Sequence, residues 1–275
     1  MSRSPTAPQA LQAVIFDWAG TLLDFGSLAP TQIFVEAFAS FGMSISLPQA
    51  RGPMGLSKWQ HIRTLLNDPQ IAHDWQIHHG QLPSDADVDA IYARFMPMQI
   101  AKVGEYSQVI EGAPETLAAL RQQGLKIGSC TGYPRQVLEI LLPLAAAAGI
   151  APDHVVAGDD LAAGGRPGPY MALANVLALE ISDVAACVKV DDTVPGVEEG
   201  LHAGMWSVGV MLSGNEVGCT SAELAALPPA ELALRKAQAQ ARLLAAGAHY
   251  VIDTVNDLPA VLEQIRLRLK NGERP

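Results

Sequence analysis

The sequence predicts an α/β protein, a doubly wound parallel sheet with an α-helical cap inserted after its first strand. Three observations carry that reading. The apolar run Ala13-Val14-Ile15-Phe16 ends on a carboxylate, Asp17, with Gly20 and Thr21 just beyond. From about Gly26 to Lys102 the chain shows helical patterns and no convincing strand. After Gly104 short apolar runs alternate with amphipathic stretches, the signature of a sheet covered on both faces. The predicted division is a disordered tail over 1–10, a core made of 11–25 and 105–275, and a helical cap over 26–104.

Composition sets the outer limits. The 275 residues suffice for one large α/β domain with a smaller insert. With 49% hydrophobic and 17% charged residues the chain lies outside the disordered range. A net charge of −10 argues against nucleic acid or an anionic membrane as partner. An anionic substrate would therefore need positive charge concentrated locally. Cys130, Cys187 and Cys219 are odd in number and widely spaced, so they read as reduced buried thiols of a cytoplasmic protein. Met1 to Gln9 is polar and lacks the apolar core of a signal peptide, and no apolar run approaches a membrane span.

Each element has a local reason. The first strand is a continuous apolar run, as a strand buried on both faces requires. Pro30 suits the first turn of a helix, and Ile33, Phe34, Ala37, Phe38 and Phe41 recur at helical spacing before Gly42. Arg51 to Lys58 holds two glycines and a proline and reads as a shaped loop. A short helix follows, with Trp59, Ile62 and Leu66 on one side and Lys58, His61 and Leu65 on a neighbouring face. Ser84 and Asp87 form a capping-box variant opening a helix that Pro97 bends or ends.

Beyond the insert, Pro114–Gln123 is a helix closed by Gly124, and Leu125–Cys130 is a strand leading into Thr131-Gly132-Tyr133. Pro134 starts a helix running to Gly149, and His154–Ala157 is a short strand before Asp159 and Asp160. A helix over Pro169–Leu179 precedes the strand Ala185–Val190, which runs into Asp191-Asp192-Thr193. The remaining elements are a helix over Val194–Ala203, a strand over Trp206–Met211, two Ala/Leu-rich surface helices within Ala222–Gly247, a strand over Tyr250–Ile252 and a helix around Leu258–Leu269.

Open α/β sheets bind ligands at the carboxyl ends of their strands. Position alone leaves Asp17 free to be a turn cap. Thr131 and Asp192 end two further strands, and if the three are neighbours their side chains meet at one rim. Two carboxylates with backbone carbonyls form a hard-oxygen site suited to Mg²⁺, and a hydroxyl with helix-start N–H groups holds phosphoryl oxygens.

Asp17-x-Ala19-Gly20-Thr21, Thr131, Arg166 and Asp191-Asp192 resemble the four motifs of the haloacid-dehalogenase-like superfamily, whose Rossmann-like core uses the first aspartate as nucleophile. Phosphatases of that superfamily carry a second acid where this chain has Ala19, which cannot protonate a leaving group. General acid help is worth about 10²–10⁴-fold, so another device must replace it. Asp17 to Thr21, Ala29-Pro30, Arg51-x-Pro53-Met54-Gly55-x-x-Lys58-x-x-His61, Thr131-Gly132-Tyr133 and Gly165-Arg166-Pro167 resemble the phosphonoacetaldehyde hydrolase (phosphonatase) family across cap and core.

That resemblance implies hydrolysis of a P–C bond through a Schiff base on Lys58 and an aspartyl-phosphate on Asp17. It implies Mg²⁺ held by Asp17, the Ala19 carbonyl and Asp192. Thr131, Gly132 and Arg166 would then support the phosphonyl group, Met54 and Gly55 would shape the cap side, His61 would influence Lys58 or relay its protons, and the protein would be a homodimer degrading a small phosphonate. One departure stands out. Many superfamily members carry an acid four residues after the position of Asp192, where this chain has Gly196; Asp191, where glycine is common, is the candidate to compensate. Two other readings stay open: a haloacid dehalogenase, which attacks carbon without a metal, and a non-catalytic binding protein on the same scaffold.

Overall fold

The computed structural model describes residues 10–275; the polar tail over Met1–Gln9 lies outside the described residues. Among these, six strands form one parallel sheet: β1 (Ala13–Phe16), β2 (Lys126–Cys130), β3 (His154–Val156), β4 (Cys187–Asp191), β5 (Trp206–Val210) and β6 (Tyr250–Ile252), in the order β3-β2-β1-β4-β5-β6. The chain builds outward from β1 to β3, then returns to add β4 on the other side. Strand order therefore reverses between β1 and β4, where an open sheet leaves a crevice.

The alternation within β1 explains its central position. Val14 and Phe16 enter one hydrophobic cluster, Ala13 and Ile15 the cluster on the opposite face, and all four are buried. Phe16 pairs with Ser129 of β2 and Val190 of β4, so Asp17, Thr131 and Asp192 leave the sheet at one level.

Between β1 and Val103 the chain forms five helices: α1 (Ala29–Ala39), α2 (Leu47–Arg51), α3 (Lys58–Asn67), α4 (Pro69–His79) and α5 (Asp85–Lys102). They share their own apolar cluster, centred on Ile33, Phe34, Phe38, Ile62, Leu66, Trp75, Ile91 and Phe95. The stripe read along α1 lies inside that cluster, and Ser84 and Asp87 make the expected reciprocal cap at α5. Pro97 does not end α5, which continues to Lys102. The shaped loop begins later than the sequence suggests, because Ser46 and Gln49 cap each other and turn Leu47–Arg51 into a helix.

The remaining helices are α6 (Ala113–Gln122), α7 (Arg135–Ala147), α8 (Tyr170–Ala178), α9 (Val194–Ala203), α10 (Ser221–Ala226), α11 (Pro229–Ala245) and α12 (Leu258–Lys270). Leu117, Leu138, Leu141, Leu262 and Ile265 cover one face of the sheet; Met171 and Ala172 cover part of the other. None of the described helices is long and apolar enough to cross a membrane.

Candidate active site

The rim at the β1–β4 crevice is assembled by backbone. The Asp17 N–H donates to the Val190 carbonyl at 2.9 Å, locking the end of β1 against β4. Asp192 lies one residue beyond β4, and its Oδ2 accepts from the Asn215 N–H at 2.8 Å. Its Oδ1 is buried without a partner. Gly20 turns beneath it with φ +79°, and a Cβ there would stand 2.2 Å from Asp192 Oδ2. The Thr131 hydroxyl accepts from the Tyr133 N–H at 3.1 Å, which turns the chain from β2 toward α7 and leaves its O–H to donate.

Beneath this rim lies a buried network of charges. Arg166 is 2.7 Å from Asp17 Oδ1, 3.0 Å from Asp191 Oδ2 and 2.9 Å from Glu199 Oε2. It also donates to the Cys130 carbonyl at 2.9 Å. Lys189 pairs with Asp191 and stands 3.5 Å from Glu199. Burial opposes ionisation of Asp191, but Arg166 and Lys189 hold its carboxyl below the usual range. Burial and the neighbouring Asp191 push Asp17 up to about 6, against the pull of Arg166. Asp192 is driven well above the ordinary range by burial and by Asp17.

In formal charge, Asp17, Asp191, Asp192 and Glu199 oppose Arg166, Lys189 and, across the cavity, Lys58, which leaves negative charge in excess at a buried site. That arrangement suits a divalent cation. Asp17, Asp191 and Asp192 each offer an oxygen, all within 4.8 Å of one another. Their hydrogen bonds separate them. Asp191 is fully engaged by Lys189, Arg166 and Thr193, whereas Asp192 presents an unpartnered oxygen. Gly196 explains the substitution noticed in the sequence: a Cβ there would lie 1.9 Å from Asp191 Cγ. The carboxylate at 191 occupies the space a side chain at 196 would need.

The helical unit closes the other side. Lys58 opens α3 and is 4% exposed. Its Nζ lies 5.0 Å from the centre of the Tyr133 ring and 5.7 Å from that of Phe34. Burial lowers its pKa to about 8, with Arg166 acting in the same sense and Asp17 and Asp24 opposing. One turn on, His61 stacks on Phe34 at 3.8 Å and its Nε2 lies 2.9 Å from the Ala50 carbonyl. That contact requires the proton on Nε2 and leaves Nδ1 a buried acceptor with no protein partner. Burial and Lys58 hold the ring neutral, well below its usual pKa.

Two glycines let the halves meet. A Cβ on Gly132 would stand 2.6 Å from the Leu56 carbonyl, and one on Gly55 2.4 Å from Thr193 Oγ1. The cavity between them is lined by Asp17, Ala19, Met54, Lys58, Thr131 and Arg166, among others, and holds about 20 Å³, room for about one water. Of the residues the sequence points to, Asp17, Ala19, Met54, Gly55, Lys58, Thr131, Gly132, Arg166 and Asp192 line it, while Asp191 stays in the charge network beneath and His61 lies one turn beyond Lys58 on α3. Tyr133, Ser27 and Thr193 also line it and were not singled out. Glu199, which anchors Arg166, was missed as well. Tyr133 was visible beside Thr131-Gly132, but nothing along α9 marks which of its acids turns inward.

A family model for haloacid dehalogenase-like hydrolases matches residues 11–204. The chain is 61% identical over 266 residues to a phosphonoacetaldehyde hydrolase of Klebsiella pneumoniae, covering 96% of this chain and 99% of that one. It is 58% identical, with the same coverage, to one from Salmonella typhimurium. A crystal structure of a phosphonoacetaldehyde hydrolase-like protein from Oleispira antarctica superposes with a TM-score of 0.96 at 42% identity, covering 100% of this chain and 99% of that one. The chain therefore belongs to the haloacid dehalogenase-like hydrolases and, among them, to the phosphonoacetaldehyde hydrolase family.

Proposed function

We propose that the protein hydrolyses phosphonoacetaldehyde to acetaldehyde and phosphate, with Lys58 as electron sink and Asp17 as nucleophile. The observation that carries this reading is a lysine with its pKa lowered to about 8, buried in the same cavity as an aspartate whose neighbouring acid position is Ala19. A dehalogenase could use a lysine to pair with the substrate carboxylate, but only as the cation, whereas here burial favours the neutral amine.

The chemistry follows from the residues. Expelling a carbanion from phosphorus is difficult without an acceptor for the bond electrons. The neutral Lys58 amine adds to the aldehyde carbon, and loss of water gives an imine that is cationic when protonated. Asp17 then attacks phosphorus; the P–C bond breaks, and its electron pair enters the imine as an enamine. Water hydrolyses the aspartyl-phosphate. Protonation of the enamine carbon and hydrolysis of the imine release acetaldehyde and regenerate Lys58. His61, with its proton on Nε2, offers Nδ1 as an acceptor for proton traffic at Lys58 through water.

Asp17, the carbonyl of Ala19 and Asp192 would hold Mg²⁺, which when bound screens the nucleophile from the phosphonyl oxygens. Asp191 would orient this site through Thr193, Lys189 and Arg166 without binding the ion. Arg166 and the Thr131 hydroxyl face the phosphonyl oxygens, and Met54 and Gly55 shape the wall opposite. Residues 26–104 act as a cap over the core. About 20 Å³ is smaller than the substrate, so the helical unit has to shift relative to the core for the substrate to be seated.

The test is phosphate release from phosphonoacetaldehyde with and without Mg²⁺, for wild type and Lys58→Ala, with borohydride trapping of the imine. The reading predicts an adduct at Lys58 and loss of turnover by at least about 10⁴-fold in the variant. Wild-type turnover by Lys58→Ala would sink it.

A further inference from the structure

The reactive groups do not account for Arg51, at the end of α2. It is half-buried, and its guanidinium crosses from the helical unit to the core. Nη1 donates to the Gly26 carbonyl at 2.9 Å and to Asn215 Oδ1 at 3.4 Å, and Nη2 donates to the Gly218 carbonyl at 2.9 Å. Asn215 returns a bond from Nδ2 to the Arg51 carbonyl at 3.4 Å. The same Asn215 holds Asp192 Oδ2 through its backbone N–H.

The loop 213–219 is therefore gripped from both sides. The Gly26 N–H donates to the Ser213 carbonyl at 2.7 Å, tying in the segment that leads to α1. Gly218 has φ +63°, and a Cβ there would lie 2.7 Å from Arg51 Cζ; a Cβ on Gly214 would lie 2.5 Å from Asp192 Cβ. One short loop has its backbone against the guanidinium at one end and against Asp192 at the other. A planar fork with several donors fits three acceptors converging from two segments, where an ammonium would serve fewer.

We propose that Arg51 is a positioning residue that couples closure of the helical unit to the orientation of Asp192, with Asn215 as the link. The use made of that closure rests on the function proposed above. When the unit seats, Arg51 pins 213–219 and the Asn215 N–H fixes Asp192 with its free oxygen toward the site. When the unit lifts, that loop loses its clasp. Any anion that favours closure then tightens cation binding, and the cation tightens anion binding by the same factor.

Arg51→Ala, Arg51→Lys and Asn215→Ala test this by hydrogen exchange and by calorimetry with Mg²⁺ and inorganic phosphate as probes. In wild type, phosphate should tighten Mg²⁺ binding by about fivefold or more. In Arg51→Ala that coupling should fall at least severalfold, and exchange should quicken in both 47–57 and 213–219 while β1 stays protected. KM should rise by about tenfold or more without displacing the pH profile, and added guanidinium chloride should restore part of the loss. Arg51→Lys should fall between. Quickened exchange confined to 47–57, with Mg²⁺–phosphate coupling as in wild type, overturns the proposal. If Arg51→Ala fails to fold, Asn215→Ala carries the test, since it keeps the backbone donor to Asp192 and removes the side chain Arg51 holds. Exchange needs no substrate. Failure of wild type to hydrolyse phosphonoacetaldehyde would remove the proposed function and leave the clasp to be judged on exchange alone.

Discussion

Lys58 shows what one residue costs the fold and returns in chemistry. Its pKa falls from 10.5 to about 8, so the folded chain resists holding the proton that the unfolded chain keeps. Between those values the unfolded state binds more protons, and stability therefore rises with pH across the window; below about 8 the full penalty applies. At 1.36 kcal/mol per pKa unit this amounts to about 2–4 kcal/mol at neutral pH. Lys58→Met should be inactive yet more stable than wild type by that order in urea titrations at pH 7, with the difference shrinking toward pH 10. The same shift sets activity. The free amine must be neutral to attack, so kcat/KM should climb with pH along a limb near 8. Asp24 holds that pKa up, so Asp24→Asn should move the limb to lower pH; movement upward would contradict the assignment. Of the site residues, Asp17, Thr131 and Asp192 were legible because each ends an apolar run, a position with meaning in any open α/β sheet. Ala19 and Lys58 were legible only through resemblance. Glu199 was not legible, because facing Arg166 is a property of how α9 docks and leaves no trace in its neighbours.

At the scale of elements, β4 and the start of α9 act as one unit. Asp191 fills the space above Gly196, and Lys189 lies beneath it at the other end of the network. Gly196→Ala should displace a carboxylate held by two buried cations, lowering stability by about 3 kcal/mol and impairing turnover, as checked by thermal melts and phosphate release. Adding Asp191→Gly should relieve the overlap, so the double variant should be less destabilised than the two single losses sum to; strict additivity would sink the account. Elements with strong periodicity, such as α1 and α9, were readable to within a residue or two. Helices α2 and α4 were missed for different reasons. The five residues of α2 are too few to show a period, and its reciprocal Ser46–Gln49 cap carries glutamine. Helix α4 was announced by Asp68-Pro69, whose carboxylate accepts from the Gln70 and Ile71 N–H groups, but its apolar residues are too sparse to draw the eye.

The whole molecule works against its own substrate at long range. A chain of net charge −10 repels an anionic phosphonate, and the compensating cations Arg166, Lys189 and Lys58 are buried where their field is local. Added salt should therefore raise kcat/KM by about twofold between low and physiological ionic strength, the opposite of a steered encounter; a fall would show that a local positive patch governs approach. The tight seam between the helical unit and the core has a further consequence, for the choice of acceptor. An aspartyl-phosphate is an activated donor, and in an open cleft any small alcohol competes with water for it. The narrow space beside Asp17, with Gly132 against Leu56 and Gly55 against Thr193, favours water over a bulkier alcohol. In concentrated methanol the products should remain acetaldehyde and inorganic phosphate, with no methyl phosphate by phosphorus NMR. Fidelity toward water is then a matter of size, set by the two glycines that let Leu56 and Thr193 come so close.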